Sequence, residues 1–410
     1  MSMDNLLGAL ARNLAELEQS GTAKGAEQVV TKVHPGEGGR APRVELASAP
    51  GRTFLRMNSN SYLGLGLHPE LIRAEEEAVH RFGVGPGAVR FISGTLQPHV
   101  ELEAALARFH DREAAMIFSS AYATAISVIV PLTTAGTALV SDELNHNCII
   151  NAMRLARPKG KFIYRHLDLD HLREQMEAAV ASGANRCLVV TDGIFSMRGV
   201  HAPLAEIRQL LAEYQDRFSE GLVLIVDDSH GVAAVGDGGR GTEELTDSGP
   251  SDILIGTLGK GFGVNGGYVT GPKGLTDYLR ETSPMYIYSN PITPGEAAAA
   301  VRSVQIVDSA EGRALLMSVR ERAGQFRDGL QEAGLETLPG AHPVVPLMIR
   351  DTPRTAAVVR SLFDQGVLVT GLTFPVVPQG DESIRFQLSA DHGSVDVAEV
   401  LAHLRAELSA

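Results

Sequence analysis

The chain has 410 residues, 44% of them hydrophobic, and a formal net charge of -13. That length suits a globular, enzyme-sized protein with one large core and a smaller second domain, and the acidity argues against a nucleic-acid footprint. No stretch approaches the apolar length of a membrane span, and the start Met1-Ser2-Met3-Asp4-Asn5 lacks the basic residues of a secretory signal, so a cytoplasmic address is the expectation. Cys148 and Cys187 are the only cysteines, too few for a disulfide framework or a cysteine-based zinc site; reduced thiols and no metal are expected.

Residues 1–50 read as a short amphipathic helix followed by an irregular arm around His34-Pro35-Gly36-Glu37-Gly38-Gly39, either loose or docked on a partner. From 51 to 290, apolar runs of strand length alternate with helix-patterned segments. The runs are Ala114 to Ser119, Thr137 to Ser141, Lys161 to Tyr164, Arg186 to Thr191, Leu222 to Asp227, Asp252 to Gly256 and Gly267 to Thr270. They are continuously apolar rather than alternating, as strands covered on both faces are, which predicts an α/β fold with a mostly parallel, seven-stranded sheet. In such sheets the working residues collect where strands end in loops. Residues 291–410 begin with a long helical stretch and continue through short strands at Val345 to Ile349, Val367 to Thr370 and Ile384 to Leu388, a smaller C-terminal α+β domain.

The chain has six lysines, and one of them, Lys260, stands in the glycine-rich run Gly256-Thr257-Leu258-Gly259-Lys260-Gly261-Phe262-Gly263, directly after an apolar strand. Glycine lets the backbone approach a ligand closely, and a partly desolvated amine has the lowered pKa that a Schiff-base lysine needs. A P-loop would require Ser or Thr after the lysine and an opening glycine six positions before it; Gly261 and Leu254 stand there instead. The cluster Gly83-Val84-Gly85-Pro86-Gly87 contains a proline and follows no strand-like run, so it reads as a turn-rich loop.

Other strand ends carry complementary groups. Leu222 to Val226 leads into Asp227-Asp228-Ser229-His230, which delivers a carboxylate and, three residues on, an imidazole. A buried carboxylate can keep a heteroaromatic ring nitrogen protonated while a lysine holds the same ring through an imine, the arrangement that pyridoxal 5'-phosphate requires. Ser119-Ser120-Ala121-Tyr122 opens a helix whose free N–H groups suit a phosphate. His146, after the Thr137 to Ser141 strand, offers an aromatic plane.

Taken together, Ser59 to Leu65, Ser93-Gly94-Thr95, Asn145-His146, Asp192 to Met197, Val226 to His230, Gly256 to Lys260 and Arg385 to His392 resemble, in order, the motifs of the α-oxoamine synthases. Those are pyridoxal-phosphate-dependent transferases of fold type I, and the likeness spans roughly residues 55 to 400. The resemblance implies that Lys260 carries the cofactor and that Asp227 pairs with its ring nitrogen. His230 would contact the ring hydroxyl, with Ser196 beside it, and His146 would stack on the ring. Ala121, Tyr122 and Thr257 would hold the phosphate with Ser289 of a neighbouring subunit, while Asn60 and Arg385 would grip the amino-acid carboxylate. It further implies a homodimer with shared active sites.

The reaction so implied joins a small amino acid to an acyl thioester, carried by CoA or a carrier protein, with Lys260 and His146 as the catalytic residues. Val89 to Thr95, Gly266-Gly267-Tyr268 and Thr370 to Pro378 look most like the glycine C-acetyltransferase branch, which favours glycine and acetyl-CoA. Ser61, Arg198, Pro291 and Asp391 depart from the usual pattern. A branch using alanine or serine with a longer acyl donor, as in the 8-amino-7-oxononanoate synthases, is the alternative. A silent scaffold of the same fold would be expected to have lost Lys260 or Asp227, and both are present.

Overall fold

The structure is a computed structural model that describes residues 2–408. Its contacts group into two compact units. One comprises Asn60–Glu321 with Gly340–Pro343, and the other comprises the described residues up to Ser59, Arg322–Pro339 and those from Val344 onward.

In chain order the N-terminal segment supplies α1 (Ser2–Gln19), β1 (Val30–His34), β2 (Arg43–Leu46) and β3 (Ala49–Arg56). The stretch read as an irregular arm is therefore largely an antiparallel meander. Its signal is local: Val44 and Leu46 are buried while Arg43 and Glu45 are not, the alternation of a half-buried strand. Gly38 and Gly39, both at positive φ, lie between β1 and β2, where the left-handed backbone suits glycine. Further on, this unit adds β13 (Val344–Met348), α13 (Thr352–Asp364), β14 (Val367–Leu368), β15 (Thr370–Leu372), β16 (Ser383–Gln387) and α14 (Ser394–Leu408). Strand β14 pairs parallel with β3 to complete a four-stranded sheet, and β13-β16-β15 forms a three-stranded antiparallel one. Phe326, Val345, Leu347, Ile384 and Phe386 pack with Val358, Leu362, Val400 and Leu404 in its core.

The larger unit contains α2 (Pro69–Phe82), α3 (Gln97–Phe109), β4 (Ala114–Phe118), α4 (Ala121–Leu132), β5 (Thr137–Asp142), α5 (Asn147–Leu155), β6 (Gly160–Tyr164), α6 (Leu169–Ala181) and β7 (Arg186–Asp192). It continues through the small hairpin β8 (Ile194–Phe195) and β9 (Val200–His201), α7 (Leu204–Ala212), β10 (Leu222–Asp227), α8 (Thr242–Leu245), β11 (Ile253–Thr257) and β12 (Gly267–Gly271). Helices α9 (Lys273–Thr282), α10 (Pro284–Ile287) and α11 (Pro294–Val307) follow, and α12 (Ala310–Glu332) begins in this unit and ends in the other.

Seven strands form one sheet in the order β4-β12-β11-β10-β7-β5-β6. Only β12 runs against its neighbours, so the mostly parallel sheet expected from the apolar runs is what forms. Successive residues of one strand serve opposite cores: Cys187 and Val189 pack on one face with Leu224 and Val226, and Leu188 and Val190 pack on the other with Ile225. Both faces of the central strands are dry, which is why their sequences show no polar alternation. Register then fixes the chemistry, because β10 pairs with β7 from Leu222↔Cys187 to Asp227↔Asp192. Two carboxylates consequently end adjacent strands side by side.

Two buried histidines make stability pH-dependent. His110 bonds through Nε2 to the Tyr268 hydroxyl at 2.8 Å, and burial, reinforced by Arg112 and Arg240, lowers its pKa to about 3. His392 accepts the Ser389 N–H at 3.1 Å, and burial lowers it to about 4. In both, the folded pKa lies below the unfolded value, so the stabilisation of the neutral ring is complete above that value and is lost as pH falls. Urea unfolding followed from neutral pH down to about pH 5 should show His110 alone removing roughly 2 kcal/mol. The His110→Gln variant should have a correspondingly shallower pH dependence.

Candidate active site

Seven of the residues singled out from sequence meet in one pocket of the larger unit, with about 350 Å³ of empty volume. Lys260, Asp227 and His230 line it, as do His146, Ser196 and the helix start Ala121-Tyr122. Each is delivered from the carboxyl end of a sheet strand: β4 leads to Ala121, β5 to His146, β7 to Ser196, β10 to Asp227 and His230, and β11 to Lys260.

Asp227 is 4% exposed. Its Oδ1 accepts the Ser229 N–H at 3.1 Å and the Ser229 hydroxyl at 2.6 Å, and its Oδ2 accepts the Cys148 thiol at 3.4 Å. Across the register, Asp192 Oδ2 accepts the backbone N–H of His146 at 3.0 Å, while its buried Oδ1 has no hydrogen-bond partner. Burial, followed by the Asp227 charge, pushes the Asp192 carboxyl well above the usual carboxylate range; two anions this close and this dry cannot both be stable. Asp228 points away from the pocket into a knot of glycines. It accepts the Thr242 N–H and hydroxyl, each at 2.6 Å, and a Cβ on Gly193, Gly231 or Gly241 would lie 2.0–2.2 Å from its carboxylate. Burial raises Asp228 to about 7.

His146 is the N-cap of α5, its Nδ1 accepting the Cys148 N–H at 3.3 Å. That acceptor role leaves the ring proton on Nε2. Burial holds the imidazole below its ordinary pKa, with Asp227 opposing and Lys260 adding to the effect. His230 lies 2.7 Å through Nδ1 from the hydroxyl of the fully buried Tyr62, which donates to Asn60 Oδ1 at 3.2 Å.

Helix α4 opens on Ser120, whose side chain caps the Ala123 N–H at 3.1 Å and whose carbonyl takes the Thr124 N–H. The N–H groups of Ala121 and Tyr122 are the ones placed for an anion. Strand β12 passes so close that a Cβ on Gly267 would stand 2.3 Å from the Ala121 nitrogen. Thr257 ends β11 with its hydroxyl donating to the Gly266 carbonyl at 3.2 Å and accepting the Gly259 N–H at 3.2 Å. Ser289 lies in the loop after α10, partly exposed. Arg385 belongs to the other unit, on β16. Among the described residues no cluster of His, Cys, Asp or Glu has the makings of a metal site, and no helix is long and apolar enough to cross a membrane.

The strand reading singled out neither Cys148, Ser229, Asp192 nor Tyr62 for a role. Asp192 could have been found as a strand-end carboxylate, and Ser229 as the second residue after Asp227, where a hydroxyl closes an Asx-type turn. Cys148 and Tyr62 gave no local signal.

An amine among glycines, a buried carboxylate aimed into the same pocket and a helix N-terminus with open N–H groups together fit pyridoxal 5'-phosphate. With the sheet order, they define a fold type I pyridoxal-phosphate enzyme. Residues 52–404 match the family described as aminotransferase class I and II. The 8-amino-7-oxononanoate synthase of Geobacter sulfurreducens is 38% identical over 356 residues, 86% of this chain and 88% of that protein. The mitochondrial 2-amino-3-ketobutyrate coenzyme A ligase of Bos taurus is 36% identical over 401 residues, 97% of this chain and 90% of that one. The serine palmitoyltransferase of Sphingomonas wittichii superposes with a TM-score of 0.87 at 24% identity, covering 98% of this chain and 96% of that chain, and supports the fold. The chain belongs to the class I and II aminotransferase family and, within it, to the pyridoxal-phosphate-dependent acyltransferases called α-oxoamine synthases.

Substituting Gly267→Ala should push the start of α4 away from the pocket. We expect a loss of about 1–3 kcal/mol in stability and at least a severalfold weaker hold on the cofactor, read by urea unfolding and by equilibrium dialysis against pyridoxal phosphate.

Proposed function

We propose that the chain condenses glycine with acetyl-CoA, releasing CoA and an α-amino-β-keto acid that either loses carbon dioxide or leaves intact. The observation that carries this reading is the convergence of Lys260, Asp227, His146 and His230 on one pocket. When bound, pyridoxal phosphate supplies an electron sink that makes the Cα proton of an attached amino acid acidic.

The chain's own residues do the rest. Lys260 would hold the cofactor, and its Nζ is the base that would take the Cα proton. Asp227 would keep the ring nitrogen protonated, and His230 would contact the ring hydroxyl with Ser196 beside it. His146 would cover the ring, with its Nε2–H available to the oxygen on which charge develops when the thioester is attacked. Ala121, Tyr122 and Thr257 take the phosphate, completed by Ser289 of a second copy in a homodimer. Asn60 and Arg385 keep the carboxylate-gripping role that their motifs imply, Arg385 through a bidentate fork. The proposed address is the cytoplasm.

The named relatives favour one second reading: 8-amino-7-oxononanoate synthases stand beside the ketobutyrate ligases at similar identity. It keeps every residue role and replaces glycine with alanine or serine and acetyl-CoA with a longer acyl thioester.

Titrating the visible cofactor band with glycine, alanine and serine, and then adding acetyl-CoA or a longer acyl-CoA, separates the two. We expect glycine to shift the band and acetyl-CoA to release free thiol; a response to alanine, with thiol released only from the longer donor, would select the second reading. Arg385→Ala should weaken amino-acid binding at least tenfold, by roughly 1.4 kcal/mol or more, with cofactor affinity little changed. Mixed dimers of Lys260→Ala with Ser289→Ala subunits test whether sites are shared. In a shared arrangement one site per dimer carries both lesions and the other neither, so activity returns, whereas unshared sites leave the mixture without a fully intact one.

A further inference from the structure

Cys148 lines the Lys260 pocket and takes no part in the roles above. It is the second residue of α5, is 2% exposed, and is one of two free thiols among the described residues. Its Sγ lies 3.0 Å from His146 Nδ1 and 3.4 Å from Asp227 Oδ2. Both atoms are acceptors. Nδ1 already receives the Cys148 backbone N–H, and Asp227 Oδ1 is occupied by Ser229, so Oδ2 is the oxygen that remains for a ring nitrogen. One S–H proton thus stands between the two groups the reaction uses most directly.

We propose that Cys148 is a positioning residue: its thiol proton, donated to Asp227 Oδ2 beside His146 Nδ1, orients the carboxylate that would keep the cofactor's ring nitrogen protonated. The inference rests on the assignment of Asp227 to the ring nitrogen. The working form is the thiol. Burial, with the Asp227 and Asp192 carboxylates adding to it, pushes Cys148 far above the ordinary thiol range, so a nucleophilic or redox thiolate is disfavoured at this position. Serine can make the same donation over a shorter arm, and alanine cannot.

The test uses the cofactor-loaded enzyme and reads a spectrum rather than turnover. The charged and titratable groups around the thiol are Asp227, Asp192, His146 and Lys260, and all are retained in Cys148→Ala and Cys148→Ser. Without the S–H donor Asp227 becomes the stronger base. In Cys148→Ala the ring nitrogen should therefore hold its proton about threefold more tightly, moving its titration, followed by the 15N resonance of cofactor labelled at the ring nitrogen, up by about half a pH unit. Cys148→Ser should titrate close to the wild type. In infrared difference spectra, the S–H stretch that disappears in Cys148→Ser should shift when Asp227→Asn is introduced. A normal band in the wild type with an unmoved ring-nitrogen titration in Cys148→Ala and an S–H stretch indifferent to Asp227→Asn would overturn the inference and leave the cofactor assignment standing. A wild type with no lysine-linked band would overturn both.

Discussion

A carboxylate buried at the end of a parallel strand sets the terms for the larger unit. Taking Asp227 out of water costs several kcal/mol unless hydrogen bonds and an opposite charge compensate it. Ser229 closes one oxygen and Cys148 touches the other, which satisfies the lone pairs without neutralising the charge. Register makes the problem harder by setting Asp192 against Asp227 on the next strand. Burial, followed by the Asp227 charge, raises Asp192 well above the usual carboxylate range. A protonated ring nitrogen beside Asp227, with the Lys260 amine in the same pocket, would supply the opposite charge that such a buried carboxylate calls for.

The surrounding backbone follows from the same crowding. Asp228, one residue on, faces the opposite way and pins Thr242, and three glycines give it room. Gly267 performs the equivalent service where β12 passes the start of α4. Glycine is required at these positions because a Cβ would meet carboxylate or backbone at distances no contact tolerates. The N-cap role of His146 adds a further economy, since the hydrogen bond that starts α5 also selects the imidazole tautomer presented to the pocket.

Much of this was legible from the residues alone. The central strands announced themselves because both faces are dry, and Lys260, Asp227 and His230 stood out as polar groups directly after apolar runs. Other parts were not legible, for a physical reason. Asp192 matters because of a strand pairing between residues 35 positions apart in the chain (227 - 192), and Cys148 because α5 turns its first residues toward β10. Neither relation has a local sequence period. Tyr62, fully buried against His230, is indistinguishable in sequence from any core aromatic. The meander between Val30 and Arg56 was hidden for a different reason: the prolines and glycines of its turn dominate the composition, and only the short Val44/Leu46 alternation betrays strand. The ordered motifs reached further than periodicity did, naming a family where the strand pattern named only a class.

The central claim is that Lys260 carries pyridoxal phosphate opposite Asp227. Reducing the loaded enzyme with borohydride, digesting it and weighing the peptides by mass spectrometry tests it most directly. The account predicts that the added cofactor mass resides on the peptide containing Lys260, and that Lys260→Ala carries none. A label on any of the other five lysines, or one that persists in Lys260→Ala, would contradict it.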